Sequence, residues 1–240
     1  MVIRILYLLL LSFSFSACAQ KSIEQAPFVY KVREAQVKSA NPPLLLLLHG
    51  YGSNEEDLFD FAEHLDQRFV IISLRGPYPH SAGNYAWYSL DFSKTPYSSN
   101  NEQAEKSRQD LGKFVDLMCQ KYHADAKKVF MLGFSQGAMM SLTCALTMPE
   151  KVTGAVVLSG KLRDEIIPLI PDNQQFANTK IYISHGKKDD RVLFAEAEKA
   201  KIYLETKGIK TTFDVYPAAA HEITQESFMA FRTWLTESLK

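Results

Sequence analysis

Val129-Phe130-Met131-Leu132-Gly133-Phe134-Ser135-Gln136-Gly137, continued by Ala138-Met139-Met140-Ser141-Leu142, decides the fold. Its first residues are a short apolar run opened by a β-branched side chain, the pattern of a buried strand. The residues after Gly137 are good helix formers. Between the two lies Gly-x-Ser-x-Gly. Strand, tight turn and helix form the setting in which that pentapeptide makes a nucleophile elbow, a strained turn that lifts a serine hydroxyl out of the sheet. Gly133 and Gly137 are required because a Cβ at either would collide with the neighbouring strand or helix. The turn also leaves the N–H of Gln136 free at a helix start, aimed at developing negative charge. Ser135 is thus the candidate nucleophile and Gln136 a candidate oxyanion donor.

Working outward, Leu44 to Leu48 is apolar on both faces, as a central parallel strand is. It runs into His49-Gly50-Tyr51-Gly52, whose glycines let the backbone turn the N–H of Tyr51 toward the same reacting carbonyl. Phe69 to Leu74, Gly154 to Leu158, Ile181 to Ser184 and Thr211 to Tyr216 read as further strands, and Phe28 to Arg33 alternates like an edge strand. Helices are expected from Ser53 or Asn54 to Leu65, over 102–122, from the elbow through Met148, over 193–207 with Gly208 as C-cap, and over 223–239. In the first of these Glu55, Glu56 and Asp57 would complement the dipole, and Phe59, Ala62 and Leu65 would form the buried stripe. Strands alternating with helices at this spacing predict a mostly parallel central sheet with helices on both faces. Two stretches lack a period. Residues 78–101, with Tyr85, Trp87, Tyr88, Phe92 and Tyr97, read as a long loop whose aromatics either line a pocket or pin the loop to the core. Residues 161–178 read as a linker with Ile166, Ile167, Leu169 and Ile170 as a short cap over the site.

A serine hydroxyl is inert unless a base takes its proton. In a sheet of this kind the order is serine, then acid, then histidine, each on a loop at the carboxyl edge. Of the histidines at 49, 64, 80, 123, 185 and 221, only His185 and His221 follow Ser135, and only His221 also follows a strand-end acid. His221 is the candidate base. Asp189 and Asp190 both stand where the orienting acid belongs, and spacing does not choose between them or exclude that both cap the next helix.

Composition excludes other classes. The chain has 240 residues, 46% hydrophobic and 22% charged, enough to bury a core without disulfides. Lys+Arg and Asp+Glu balance at 27 each, which points away from nucleic acid as a partner. No Cys/His cluster has metal-ligand spacing, so neither a metal nor another cofactor is expected. Cys119 and Cys144 are expected to be buried free thiols. Residues 1–19 read as an export signal, with Arg4 before a short apolar core and then Ser16-Ala17-Cys18-Ala19. The core is too short to span a membrane. Cleavage before Cys18, leaving it as a lipidated first residue, competes with ordinary cleavage before Gln20; the lipidated form is expected. Residues 20–240 are then one catalytic domain, exported and either anchored at the membrane through that lipid or soluble. Oligomeric state is not encoded in any pattern here.

Taken together, Leu48-His49-Gly50-Tyr51-Gly52, Ala86-Trp87-Tyr88, Gly133-Phe134-Ser135-Gln136-Gly137, Leu158-Ser159-Gly160, His185-Gly186-x-x-Asp189 and His221-Glu222 resemble, in that order, the phospholipase/carboxylesterase family of α/β-hydrolases, relatives of bacterial carboxylesterases and acyl-protein thioesterases. The resemblance covers about residues 40–238. It implies an α/β-hydrolase fold and a serine esterase acting on small or lipid-like carboxylic esters without a cofactor. It implies Asp189 as the triad acid, Tyr51 and Gln136 as oxyanion donors, and the Trp87 segment beside the acyl site; Tyr88 and Leu162 join Trp87 as pocket candidates. Asp190-Arg191 replaces the Pro-Val often found after the acid, and residues 78–101 do not closely match the acyl-protein thioesterases, so the substrate does not carry over. A lysophospholipase or thioesterase with the same triad, a feruloyl or acetyl-polysaccharide esterase, and a ligand-binding lipoprotein on an inactive scaffold are the other readings.

Overall fold

The computed structural model describes residues 26–93 and 98–240. The export signal, Cys18 and Tyr97 lie outside the described residues. Strand β1 (Tyr30–Arg33) is followed by β2 (Leu44–Leu48), β3 (Val70–Leu74), β4 (Tyr78–Ser81), β5 (Asn84–Ala86), β6 (Leu90–Asp91) and β7 (Ser98–Ser99). Then come α1 (Asn101–Lys121), β8 (Val129–Phe134), α2 (Gln136–Thr147), β9 (Gly154–Leu158), β10 (Lys180–Gly186), α3 (Phe194–Thr206), β11 (Lys210–Tyr216) and α4 (Gln225–Ser238).

Seven strands form one sheet in the order β1-β3-β2-β8-β9-β10-β11. All neighbours run parallel except β1, which pairs antiparallel with β3 at the edge. The leucines of β2 are wholly buried because strands flank them on both sides and helices cover both faces. Leu44, Leu46 and Leu48 pack in one layer with side chains of α1, α2 and α3, while Leu45 and Leu47 pack in the other with Phe231 and Leu235 of α4. Each such leucine contributes about 1.5–3 kcal/mol of burial. Register therefore follows from side-chain alternation: a one-residue slip would exchange the two layers.

Three expectations change. Residues 53–65 are not an α-helix: turns lead into a 3₁₀ helix at Phe59–His64. Asn54 closes a turn by accepting the Glu56 N–H, and Glu55 is buried against the guanidinium of Arg75 instead of standing in a first helical turn. The buried stripe is Leu58, Ala62 and Leu65, with Phe59 half-buried. Residues 78–101 are not structureless; among the described residues they hold two small antiparallel strand pairs, β4–β5 and β6–β7. Between 161 and 178 lie two 3₁₀ helices, Asp164–Leu169 and Asn173–Phe176, in which Ile166 is buried but Ile167 and Leu169 are exposed. Among the described residues, no helix is long and apolar enough to cross a membrane.

Candidate active site

The triad candidates and the turn that carries Tyr51 lie beyond the carboxyl ends of parallel strands: His49 to Tyr51 after β2, Ser135 after β8, Asp189 after β10, His221 after β11. Open α/β sheets present their ligand sites along that edge. At the elbow Ser135 has φ 54° and ψ −115°, a backbone conformation that costs a non-glycine residue about 1–3 kcal/mol. It is held there because its N–H donates to the Leu158 carbonyl at 2.9 Å and its carbonyl accepts the Met139 N–H. The flanking glycines are sterically obligatory. A Cβ on Gly133 would stand 2.3 Å from Gly137, and one on Gly137 would stand 2.0 Å from the Leu48 carbonyl oxygen.

The Ser135 hydroxyl lies 2.9 Å from His221 Nε2, and His221 Nδ1 lies 2.7 Å from Asp189 Oδ2. Asp189 is buried. Its Oδ1 accepts the N–H groups of Arg191 and Val192 at 3.0 and 2.9 Å, so the carboxylate both closes its own turn and receives the imidazole. Asp190, which spacing left as an equal alternative, is exposed in the cavity lining, and the histidine pairs with Asp189 instead. Phe134 packs against the His221 ring at 4.9 Å between centres.

A further histidine touches this chain of bonds. His185 Nε2 lies 2.7 Å from the Val192 carbonyl and 3.2 Å from Asp189 Oδ2. Burial lowers the pKa of His185, against the smaller opposing effects of that carbonyl and of Asp189. It is therefore neutral, its Nε2–H donating to the Val192 carbonyl in the turn that Asp189 closes, with the ring standing beside the carboxylate. His49 is also buried and shifted down by desolvation. Its Nδ1–H donates to the Gly50 carbonyl and its Nε2 accepts the Gly76 N–H at 2.9 Å, which fixes the loop that carries Tyr51.

The N–H groups of Tyr51 and Gln136 have no hydrogen-bond acceptor among the described residues. Both residues line a cavity of about 510 Å³ that also receives Ser135 and His221. Its apolar wall includes Tyr88, Leu90, Phe92, Phe134 and Met139. Of the pocket candidates, Tyr88 lines this cavity. Trp87 and Leu162 do not. Trp87 is wholly buried in the core, its indole N–H donating to the His49 carbonyl at 2.9 Å. Leu162 is half-buried and packs on the main core cluster. Phe92, singled out in the loop, does reach the cavity.

Sequence reasoning missed the side chain of Gln136. Its Oε1 accepts the Trp87 N–H and its Nε2 donates to the Tyr88 carbonyl, both at 2.8 Å and both buried. The residue whose backbone faces the cavity thus also clips the aromatic segment to the elbow. It missed Arg163 too, a buried guanidinium in the cavity wall. Of the two described cysteines, Cys144 is buried as expected, but Cys119 is only partly so; both are free. Among the described residues, no group of three or more His, Cys, Asp or Glu side chains is arranged to hold a metal ion.

Comparison with known proteins bears on the fold and the class. A family model described as Phospholipase/Carboxylesterase matches residues 31–239. A protein of Oryza sativa subsp. japonica named probable carboxylesterase is 29% identical over 218 residues, covering 86% of this chain and 81% of that one. Acyl-protein thioesterase 1 of Debaryomyces hansenii is 25% identical over 225 residues, covering 87% and 97%. Among solved structures, a Bacillus cereus carboxylesterase superposes with a TM-score of 0.77 at 23% identity, over 89% of this chain and 96% of that one. At that identity the likeness concerns the fold.

Proposed function

The chain belongs to the phospholipase/carboxylesterase family and is a hydrolase of carboxylic esters; on that premise we propose that it is an exported serine esterase working through Ser135, His221 and Asp189. The observation that carries this reading is the unbroken run of hydrogen bonds from the Ser135 hydroxyl through His221 to Asp189, opening on a cavity. Ser135 Oγ attacks the ester carbonyl while His221 Nε2 takes its proton. Asp189 holds the Nδ1–H tautomer and stabilises the imidazolium. The negative oxygen of the tetrahedral intermediate rests on the N–H groups of Tyr51 and Gln136. His221 then protonates the leaving alcohol, and water repeats the sequence on the acyl-enzyme. Export rests on the basic, apolar and small-residue pattern of residues 1–19, with lipidation at Cys18.

Hydrolysis of 4-nitrophenyl butyrate by the native chain and by Ser135→Ala tests the reading. A loss of at least about a thousandfold is expected, since removing a triad member leaves only the contribution of binding and the oxyanion hole. Undiminished turnover by the variant, or failure of the native protein to react with a fluorophosphonate probe, would overturn it. Relative rates on oxygen esters and thioesters of matched chain length, and on feruloyl esters, set the substrate class. A membrane-fraction protein without a diacylglyceryl group on Cys18 would end the lipid-anchor reading.

A further inference from the structure

Charge is distributed unevenly around the cavity. The Lys, Arg, Asp and Glu side chains in its lining are Lys161, Arg163, Asp164, Glu165, Asp190 and Arg191. Asp164, Glu165, Asp190 and Arg191 are exposed at the mouth, where water screens them, and Lys161 is half-buried. Arg163 alone is buried, at 5% exposure. Its guanidinium lies 4.7 Å from the centre of the Tyr88 ring, which also lines the cavity. The Tyr88 hydroxyl in turn donates to the sulfur of Met139, one helical turn after Ser135. Arg163 therefore backs the wall beside the candidate nucleophile.

The protein gives this cation little compensation. A guanidinium has five N–H donors; among the described residues one bond, from Nη2 to the neutral amide oxygen of Asn101 at 2.8 Å, is made. The nearest carboxylate, that of Glu165, stands at 3.9 Å, beyond hydrogen-bond reach, and is itself largely in solvent. Glu105 is close enough to feel the charge, but Arg108 grips both of its oxygens. An arginine withdrawn from water is stable when a counter-charge meets its planar fork with paired hydrogen bonds. The ring of Tyr88 lies against the guanidinium, and no Arg163 nitrogen is a sealed, unpaired atom, so the N–H groups without a partner among the described residues remain open to solvent or to a ligand.

We propose that Arg163 recognises a carboxylate on the substrate, so that the enzyme takes esters bearing a second, ionised carboxyl group a few bonds from the scissile carbonyl. Carboxylate is the fitting anion because its two oxygens match parallel N–H bonds from one edge of the guanidinium. The proposal rests on the esterase reading above and sharpens it from any small ester to an anionic one.

Three esters test it: neutral 4-nitrophenyl valerate, 4-nitrophenyl hydrogen glutarate with the carboxylate on the acyl side, and 4-carboxyphenyl valerate with it on the alcohol side. In the native enzyme at least one anionic ester should match or exceed the neutral one in kcat/KM. In Arg163→Gln the ratio of that anionic ester to the neutral one should fall at least tenfold, and Arg163→Lys should restore part of it. Thermal unfolding of both variants shows whether they fold. Should Arg163→Gln not fold, the native enzyme still decides: glutarate should inhibit valerate hydrolysis at least tenfold more strongly than butyrate does, and the difference should shrink as salt rises. An unchanged ratio for both anionic esters, a native enzyme more than tenfold slower on both, or equal inhibition by the two acids would overturn the proposal. If the native enzyme cleaves none of the three esters, the esterase reading itself is what fails.

Discussion

Replacing Gln136 by leucine removes two hydrogen bonds whose partners have nowhere else to turn. The Trp87 N–H and the Tyr88 carbonyl meet the Gln136 amide at 2.8 Å each, and Gln136, Trp87 and Tyr88 are all buried. Leaving a buried backbone group unpaired costs about 1–3 kcal/mol. Two such groups set an upper range near 6 kcal/mol, and water entering from the adjoining cavity brings the expected loss to about 2–4 kcal/mol. For a chain of this size that is a fall in Tm of roughly 5–15 °C. Gln136→Glu separates the two bonds. The carboxylate still accepts from Trp87 but faces the Tyr88 carbonyl with no proton to give. Both the buried site and that carbonyl favour the protonated acid, so the folded pKa of the new carboxyl lies above its unfolded value of ~4.3. The sign follows: the folded state binds the extra proton, so this variant is most competitive with the native protein below pH ~4.3 and loses ground as pH rises through the raised pKa. Urea unfolding of native, Leu and Glu forms at pH 5 and pH 8 reads both effects. A Leu variant within ~0.5 kcal/mol of native, or a Glu variant whose deficit does not widen toward pH 8, would refute the account of Gln136 as a clip.

Ser135 sits at φ 54°, which glycine adopts without penalty, so Ser135→Gly should be more stable than Ser135→Ala by about 1 kcal/mol in chemical denaturation although both lack activity. Equal stabilities would mean that the turn stores no strain. Gly137→Ala places a methyl group 2.0 Å from the Leu48 carbonyl oxygen, and a loss of at least about 3 kcal/mol is expected, read as failure to accumulate as soluble protein or as a large drop in Tm. Burial pushes the Cys119 thiol up to about 11 and Cys144 to about 12. At pH 8 the Cys119 thiolate is then about a thousandth of the population, against roughly a quarter for a free thiol. Peptide mapping after iodoacetamide treatment should find both unlabelled in the folded chain and labelled in urea. Because both folded values are raised, their contribution to stability is complete below pH ~8.5 and declines above it, and Tm should fall between pH 9 and 11 more steeply than in Cys119→Ala.

How far the sequence could be read depends on the length over which each signal repeats. The leucines of β2 and the apolar runs of β3, β8, β9 and β10 announce themselves because strands buried on both faces have no polar face to dilute the pattern. The order Ser135, Asp189, His221 was legible because β8, β10 and β11, whose carboxyl ends carry them, follow one another in the same order in the chain and across the sheet. Spacing alone did not choose Asp189 over Asp190, since the two differ only in which way a turn faces; the resemblance of His185-Gly186-x-x-Asp189 to the family pattern did. Residues 53–65 were misread because helical spacing over so short a run fits a 3₁₀ turn equally well. The decisive partner of Glu55 there is Arg75, twenty positions away. The strand pairs between Tyr78 and Ser99 have strands of two to four residues, too short for alternation to show.

Trp87, Gln136 and His49 illustrate why the lining of the cavity resisted the sequence most. Trp87 meets the other two through backbone atoms: its indole N–H donates to the His49 carbonyl, and its backbone N–H donates to the amide oxygen of Gln136. Backbone partners leave no mark on residue type at the receiving end. A polar side chain after the nucleophile looks incidental until a third segment folds over it. Arg163 is obscure for another reason: its only hydrogen-bonding partner among the described residues is the side chain of Asn101, on a helix far back in the chain. The chemistry of the reaction is written in side chains whose types it dictates. The shape of the space around them rests on contacts between segments far apart in the chain, which no single motif records.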